Sequence, residues 1–122
     1  MLELTLAADR PVTVAQVATR WDIPESALAK VLQQLVRTGF IRSVRGVRGG
    51  YLLARSPADV SVQDVIDSFE PRQAHEGCQL KDLPGAECPD EGPTCRLREL
   101  FDEVDQTTRA TFQSVTFDTL TR

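Results

Sequence analysis

The residues best suited to chemistry are three cysteines, Cys78, Cys88 and Cys95, separated by nine and six residues. Thiolates are soft, polarisable ligands suited to iron–sulfur clusters, which ordinarily draw on four protein ligands. These cysteines supply three. For the fourth there are His75, the single histidine and three residues before Cys78, an acidic side chain, or a group from a second subunit. The same residues also suit zinc, although the paired C-x₂₋₄-C knuckle of structural zinc sites is missing. Two thiols could instead form a reversible disulfide, or all three could be plain thiols. Clustered cysteines in a cytosolic chain point to metal or redox chemistry more often than to structural disulfides. Cys95 also immediately precedes a helical pattern, whose positive N-terminal end favours an anionic ligand.

A second constellation is polar and cationic. Ser26, Lys30, Gln33 and Arg37 lie off the apolar stripe of one helical pattern, and Arg45 and Arg48 flank the glycine-rich run Arg45-Gly46-Val47-Arg48-Gly49-Gly50. Ser26, Lys30 and Gln33 suit base edges or nearby phosphates, and Arg37 suits backbone phosphate. Arginines on a glycine-rich tip suit a minor groove, because glycine permits close backbone approach. Each of these side chains taken singly also fits an ordinary solvated face.

The elements that must position these groups follow from periodicity. Leu2, Leu4 and Leu6 read as the tail of a helix ending near Asp9. Thr13 with Gln16 forms a capping box for a helix over about 14–20. Beyond Trp21-Asp22-Ile23-Pro24, residues Leu28, Val31, Leu32, Leu35 and Val36 recur at helical spacing, and Gly39 supplies a C-terminal cap. Two strands, Phe40 to Val44 and Tyr51 to Ala54, enclose the glycine-rich turn as a β-hairpin. Helix, turn, helix, hairpin is the order of a winged helix. Ser61 caps a further helix through Phe69, and residues 70–94 show no periodicity. Cys95 to about Ser114 reads as one long helix with Leu97, Leu100, Phe101, Val104, Thr108, Thr111 and Val115 along a stripe, and Thr116 caps a last short turn. The expected class is mostly α with a small β-hairpin wing. Its regions are a winged helix-turn-helix over 1–56, a linking helix and cysteine loop over 57–94, and a dimerisation helix over 95–122, all within one compact domain.

Charge is divided unevenly. Residues 1–56 hold eight basic and four acidic residues, and the remainder holds six and fourteen, so a net charge of −4 conceals a basic front half. A basic front half can face phosphate while the acidic half faces solvent. The apolar runs are too short to span a bilayer, and nothing at the start resembles a signal peptide, so a soluble cytoplasmic protein is expected. One histidine, no nucleophile–base pattern and no phosphate-cradling loop ahead of a helix argue against an enzyme.

The stretches PVTVAQVATRWDIPESALAKVLQQLVRTGFIRSVRGVRGGYLLAR, VSVQDVIDSFE and CPDEGPTCRLRELFDEV resemble the Rrf-two family of bacterial winged-helix transcriptional regulators, which includes iron–sulfur, nitric oxide and iron-responsive repressors. The resemblance implies a homodimer crossed through the long C-terminal helix, reading a pseudo-palindromic operator in double-stranded DNA. It also implies a cluster site, [2Fe-2S] or [4Fe-4S], at Cys78, Cys88 and Cys95 whose state alters DNA affinity. Family members usually begin about ten residues earlier and space the first two cysteines more closely. One subgroup carries a histidine where Arg98 stands, and an acidic residue common in the recognition helix is replaced by Ala29. A cluster- or metal-binding module that grips protein without specific DNA binding is the rival reading; it predicts no salt-sensitive duplex binding.

Overall fold

The computed structural model describes residues 1–70, 84 and 95–122, so the expectations for His75, Cys78 and Cys88 fall outside the described residues. The described chain runs α1 (Leu2–Ala7), α2 (Val14–Trp21), α3 (Glu25–Arg37), β1 (Ile41–Val44), β2 (Gly50–Leu53), a 3₁₀ turn (Pro57–Asp59), α4 (Val62–Phe69), α5 (Arg96–Ser114) and α6 (Phe117–Thr121).

Local chemistry sets most of these boundaries. The Thr13 hydroxyl accepts from the Gln16 amide at 3.2 Å, and the Gln16 side chain accepts from the Thr13 amide at 2.9 Å. This reciprocal pair satisfies two donors that α2 would otherwise leave open. Ser61 and Asp64 repeat the device at the start of α4. At the end of α3, Phe40 N–H donates to the Leu35 carbonyl and Gly39 N–H to that of Val36, with Gly39 at φ 76. That is a Schellman closure, and the buried Leu35 and Phe40 add an apolar contact to it.

The core is built from Leu4 of α1, Ala18 of α2, Leu28, Leu32 and Leu35 of α3, Phe40 and Ile41 at the start of the hairpin, Val60 after the 3₁₀ turn and Phe117 of α6. Phe117 belongs to α6, so the chain returns after its long helix to pack beside α1 and the 3₁₀ turn. Backbone bonds from Val62 N to Val115 O and from Phe117 N to Val60 O hold that return in place. On the same α1, Glu3 accepts from both Arg20 and Trp21, fastening α1 to α2.

One stripe position differs from the periodic reading. Val31 is 42% exposed, whereas Leu28, Leu32 and Leu35 are buried. Helical spacing places Val31 at the margin of the stripe, where it lines an apolar groove with Leu2, Trp21, Ile23 and Phe69. The long α5 buries no residue at all, and Leu97, Leu100, Phe101, Val104 and Phe112 are exposed along it. No described helix is long and apolar enough to cross a membrane.

Candidate nucleic-acid interface

Two α-helices and a hairpin build the surface. The turn between α2 and α3 is short because Asp22 adopts a left-handed conformation (φ 51, ψ 47), which reverses the chain within one residue. Short polar side chains tolerate that region better than most. Pro24 then stands at the N-cap of α3, and its carbonyl accepts from Ala27 and Leu28. With Leu28, Leu32 and Leu35 pinned in the core, the opposite face of α3 must look outward.

That face carries the expected groups. Ser26, Lys30, Gln33 and Arg37 are all exposed. Ion pairs among the described residues engage Arg20, Arg109 and Arg122, and none of Lys30, Arg37, Arg42, Arg45 or Arg48 is among them. Ala29 is half-buried, so α3 presents a methyl group rather than a carboxylate there.

The hairpin follows α3 after only Thr38, Gly39 and Phe40. Its strands pair antiparallel in the register Ile41↔Leu53, Arg42↔Leu52, Ser43↔Tyr51 and Val44↔Gly50. Gly49 N–H donates to the Gly46 carbonyl at 2.9 Å, closing a tight turn with Val47 and Arg48 at its centre. Arg45 and Arg48 are exposed, and Val47 at the tip is fully so. Gly49 and Gly50 are required by space. A Cβ at Gly49 would collide with the Val44 carbonyl, and one at Gly50 would lie 2.7 Å from the Val12 oxygen. The second approach exists because Val12 and Tyr51 exchange backbone hydrogen bonds at 3.0 and 2.9 Å. The wing is thereby stitched to the segment that leads into α2.

Sequence reasoning missed two members of this surface. In the sequence Val47 is only one residue of a glycine-rich turn, yet an apolar side chain at a wing tip can wedge against a groove wall. Arg42 is also exposed, beside the wing's base. Its charge, one residue after the buried Ile41 at the start of β1, is the available signal.

Of the cysteine group, Cys95 is described. It forms the N-cap of α5, is half-buried, and has no side-chain capping hydrogen bond. Its carbonyl accepts from Glu99 at 3.0 Å, so the thiol lies at the start of a well-formed helix of 19 residues. Arg98, one turn on, is cationic and offers no lone pair to a metal. Among the described residues no three His, Cys, Asp or Glu side chains converge on a metal position.

The family model described as "Rrf2: Iron-dependent Transcriptional regulator" matches residues 1–122. BadM of Rhodopseudomonas palustris, named as an HTH-type transcriptional regulator, is 35% identical over 120 residues, 98% of this chain and 72% of that protein. Among solved structures, IscR of T. potens superposes with a TM-score of 0.76 at 23% identity, covering 98% of this chain and 75% of its own. CymR, the global cysteine regulator of B. subtilis, gives 0.77 at 24% identity, covering 98% and 85%. At these identities the structural likeness speaks to fold, and the fold is a winged helix-turn-helix.

Proposed function

The chain belongs to the Rrf2 family of transcriptional regulators, and from that premise we propose that it binds operator DNA as a homodimer, with affinity set by the cysteines between Cys78 and Cys95. Members of this family regulate transcription and are not enzymes. The observation that carries the DNA reading is the outward face of α3 together with the wing tip. Lys30, Arg37, Arg45 and Arg48 are exposed there, beside the polar Ser26 and Gln33. In this reading Ser26, Lys30 and Gln33 meet base edges or adjacent phosphates, Arg37 meets backbone phosphate, and Arg45 and Arg48 follow a minor groove.

Dimerisation is supported by α5. A helix of about 28 Å, taking 1.5 Å per residue, leaves Leu97, Leu100, Phe101 and Val104 uncovered. A second copy of the same helix would bury that stripe and set two copies of α3 roughly one DNA turn, about 34 Å, apart.

For the sensing site, Cys78, Cys88 and Cys95 are the residues that would hold an iron–sulfur cluster, [2Fe-2S] or [4Fe-4S]. Three thiols match the donor preference of such a group, and the Cys95 thiol at the start of α5 has no capping bond to lose. The family description as iron-dependent supports this assignment. When bound, the cluster would supply a redox-responsive centre. The chain's own part is to tether it between the end of α4 and the start of α5. Reversible oxidation of the same thiols is the second reading, and iron analysis separates the two.

Selection from a random duplex pool tests the central reading. Enrichment of two half-sites one turn apart, bound by a species of dimer mass, is the expected result. Failure to enrich any duplex, or binding indifferent to salt, would overturn it.

A further inference from the structure

Gln34 lies on α3 between Gln33 and Leu35, but its side chain does not join the outward polar face. Its Nε2 donates to the Ser68 carbonyl in the last turn of α4 at 2.9 Å. Carbonyls in the final turn of a helix lack an intrahelical donor, so Gln34 acts as a cap supplied by a different helix. The neighbouring residue of α4, Asp67, is held from the other side. Arg109 Nη2 of α5 donates to both Asp67 carboxylate oxygens at 2.9 Å, and Gln63 Nε2 donates to Oδ1 at 2.8 Å. Gln63 is only 3% exposed, so the donor of this contact is anchored in the packed interior while Asp67 reaches the surface.

Two consecutive residues of α4 are therefore gripped by two different helices: Asp67 by α5 and Ser68 by α3. We infer that Gln34 is a positioning residue, which sets the pose of the DNA-reading helix against the α4–α5 pair through the Ser68 carbonyl. Movement of α4 relative to α5 is then transmitted to α3 through this hydrogen bond. In sequence, the segment carrying Cys78 and Cys88 leaves from the end of α4 and returns at the start of α5, so an event there acts on the pair that Gln34 reads. The inference rests on α3 being the DNA-reading helix, as proposed above. It differs from a direct contact in its signature: a direct contact weakens binding regardless of what α4 and α5 do.

The experiment is a double-variant cycle on the full chain with Gln34→Met, which keeps the length and removes the donor, and Arg109→Ala, which frees α4 from α5. In the DNA-free protein, amide hydrogen exchange over residues 31–37 is expected to rise in each single variant. The double variant should exchange no faster than Gln34→Met alone. Gln34→Glu, which only accepts hydrogen bonds when ionised, should behave as Gln34→Met does. With a selected duplex, Arg109→Ala is expected to change affinity about fivefold, the low end of ordinary coupling between sites, and by less than about twofold in the Gln34→Met background. Unchanged exchange in α3 on Arg109→Ala overturns the inference, as do effects of the two substitutions that simply multiply. If exchange responds as expected but the wild-type chain binds no duplex, the positioning role stands and the proposed function fails.

Discussion

Arg109 places one guanidinium nitrogen 2.9 Å from each carboxylate oxygen of Asp67, joining α5 to α4 across 42 positions of sequence. The pair spans the whole segment between the two helices. Its side chains are 29% and 39% exposed, so solvent screens a good part of the attraction. Arg109→Ala is expected to lower stability by about 0.5–1 kcal/mol, the upper part of the range for partly exposed pairs. A urea melt checks this. A loss of several kcal/mol would mean that Arg109 also supports packing its exposure does not suggest.

Asp64 gives the fold a defined acid response. Burial pushes its carboxyl up, but hydrogen bonds from the Ser61 amide and hydroxyl and from Gln113, with the charge of Arg55, outweigh this and leave it below the ordinary 3.8. A group whose folded value is depressed stabilises the fold above its unfolded value, and that contribution disappears as pH falls through the folded one. Asp64 therefore contributes fully only well above the ordinary 3.8, and progressively less as pH falls through that value toward its depressed folded one. Asp64→Asn should flatten the stability profile in that acid window while leaving the neutral melt within about 1 kcal/mol, the usual scale of a cap. An unchanged acid profile would contradict it.

Gly46 and Gly50 both adopt positive φ, 118 and 155, but only Gly50 is crowded by another backbone. Gly46→Ala should cost about 1 kcal/mol through conformation alone, and Gly50→Ala nearer 3 kcal/mol, because strain adds to the Val12 collision. Thermal melts of the two variants decide it. Equal losses would show that the Val12–Tyr51 link does not constrain the wing.

Prepared without oxygen, the wild-type protein is expected to be coloured and to contain iron and sulfide, and Cys88→Ala to be colourless. Absorption spectra with metal analysis provide the check. A colourless wild-type preparation without iron would remove the cluster and leave thiol oxidation as the switch, without touching the DNA-binding surface.

Local chemistry made much of this fold legible before any coordinates. Thr13 with Gln16 announced the start of α2, Gly39 the end of α3, and Ser61 the start of α4, because caps depend on residues within a turn of one another. The exposed site residues on α3 followed from the same logic, once Leu28, Leu32 and Leu35 defined the buried side. What was not legible lies between elements. Periodicity shows the direction of an apolar stripe but not the width covered by neighbours, so it places Val31 on the stripe without revealing that it stays 42% exposed. Gln34 looked like its neighbour Gln33, and only the approach of α4 distinguishes them. Arg109 was one of several charges on α5 until Asp67 supplied its partner. Asp22 carried no signal strong enough to mark a left-handed residue.

The central claim, that the wing and α3 engage duplex DNA, is tested most directly by measuring affinity against salt concentration for the wild-type chain and for Arg45→Ala with Arg48→Ala. If each arginine neutralises one phosphate, the homodimer loses four such contacts, and the log–log slope should become shallower by about 3.6, at roughly 0.9 per phosphate. Superimposable slopes for the two proteins would contradict the account.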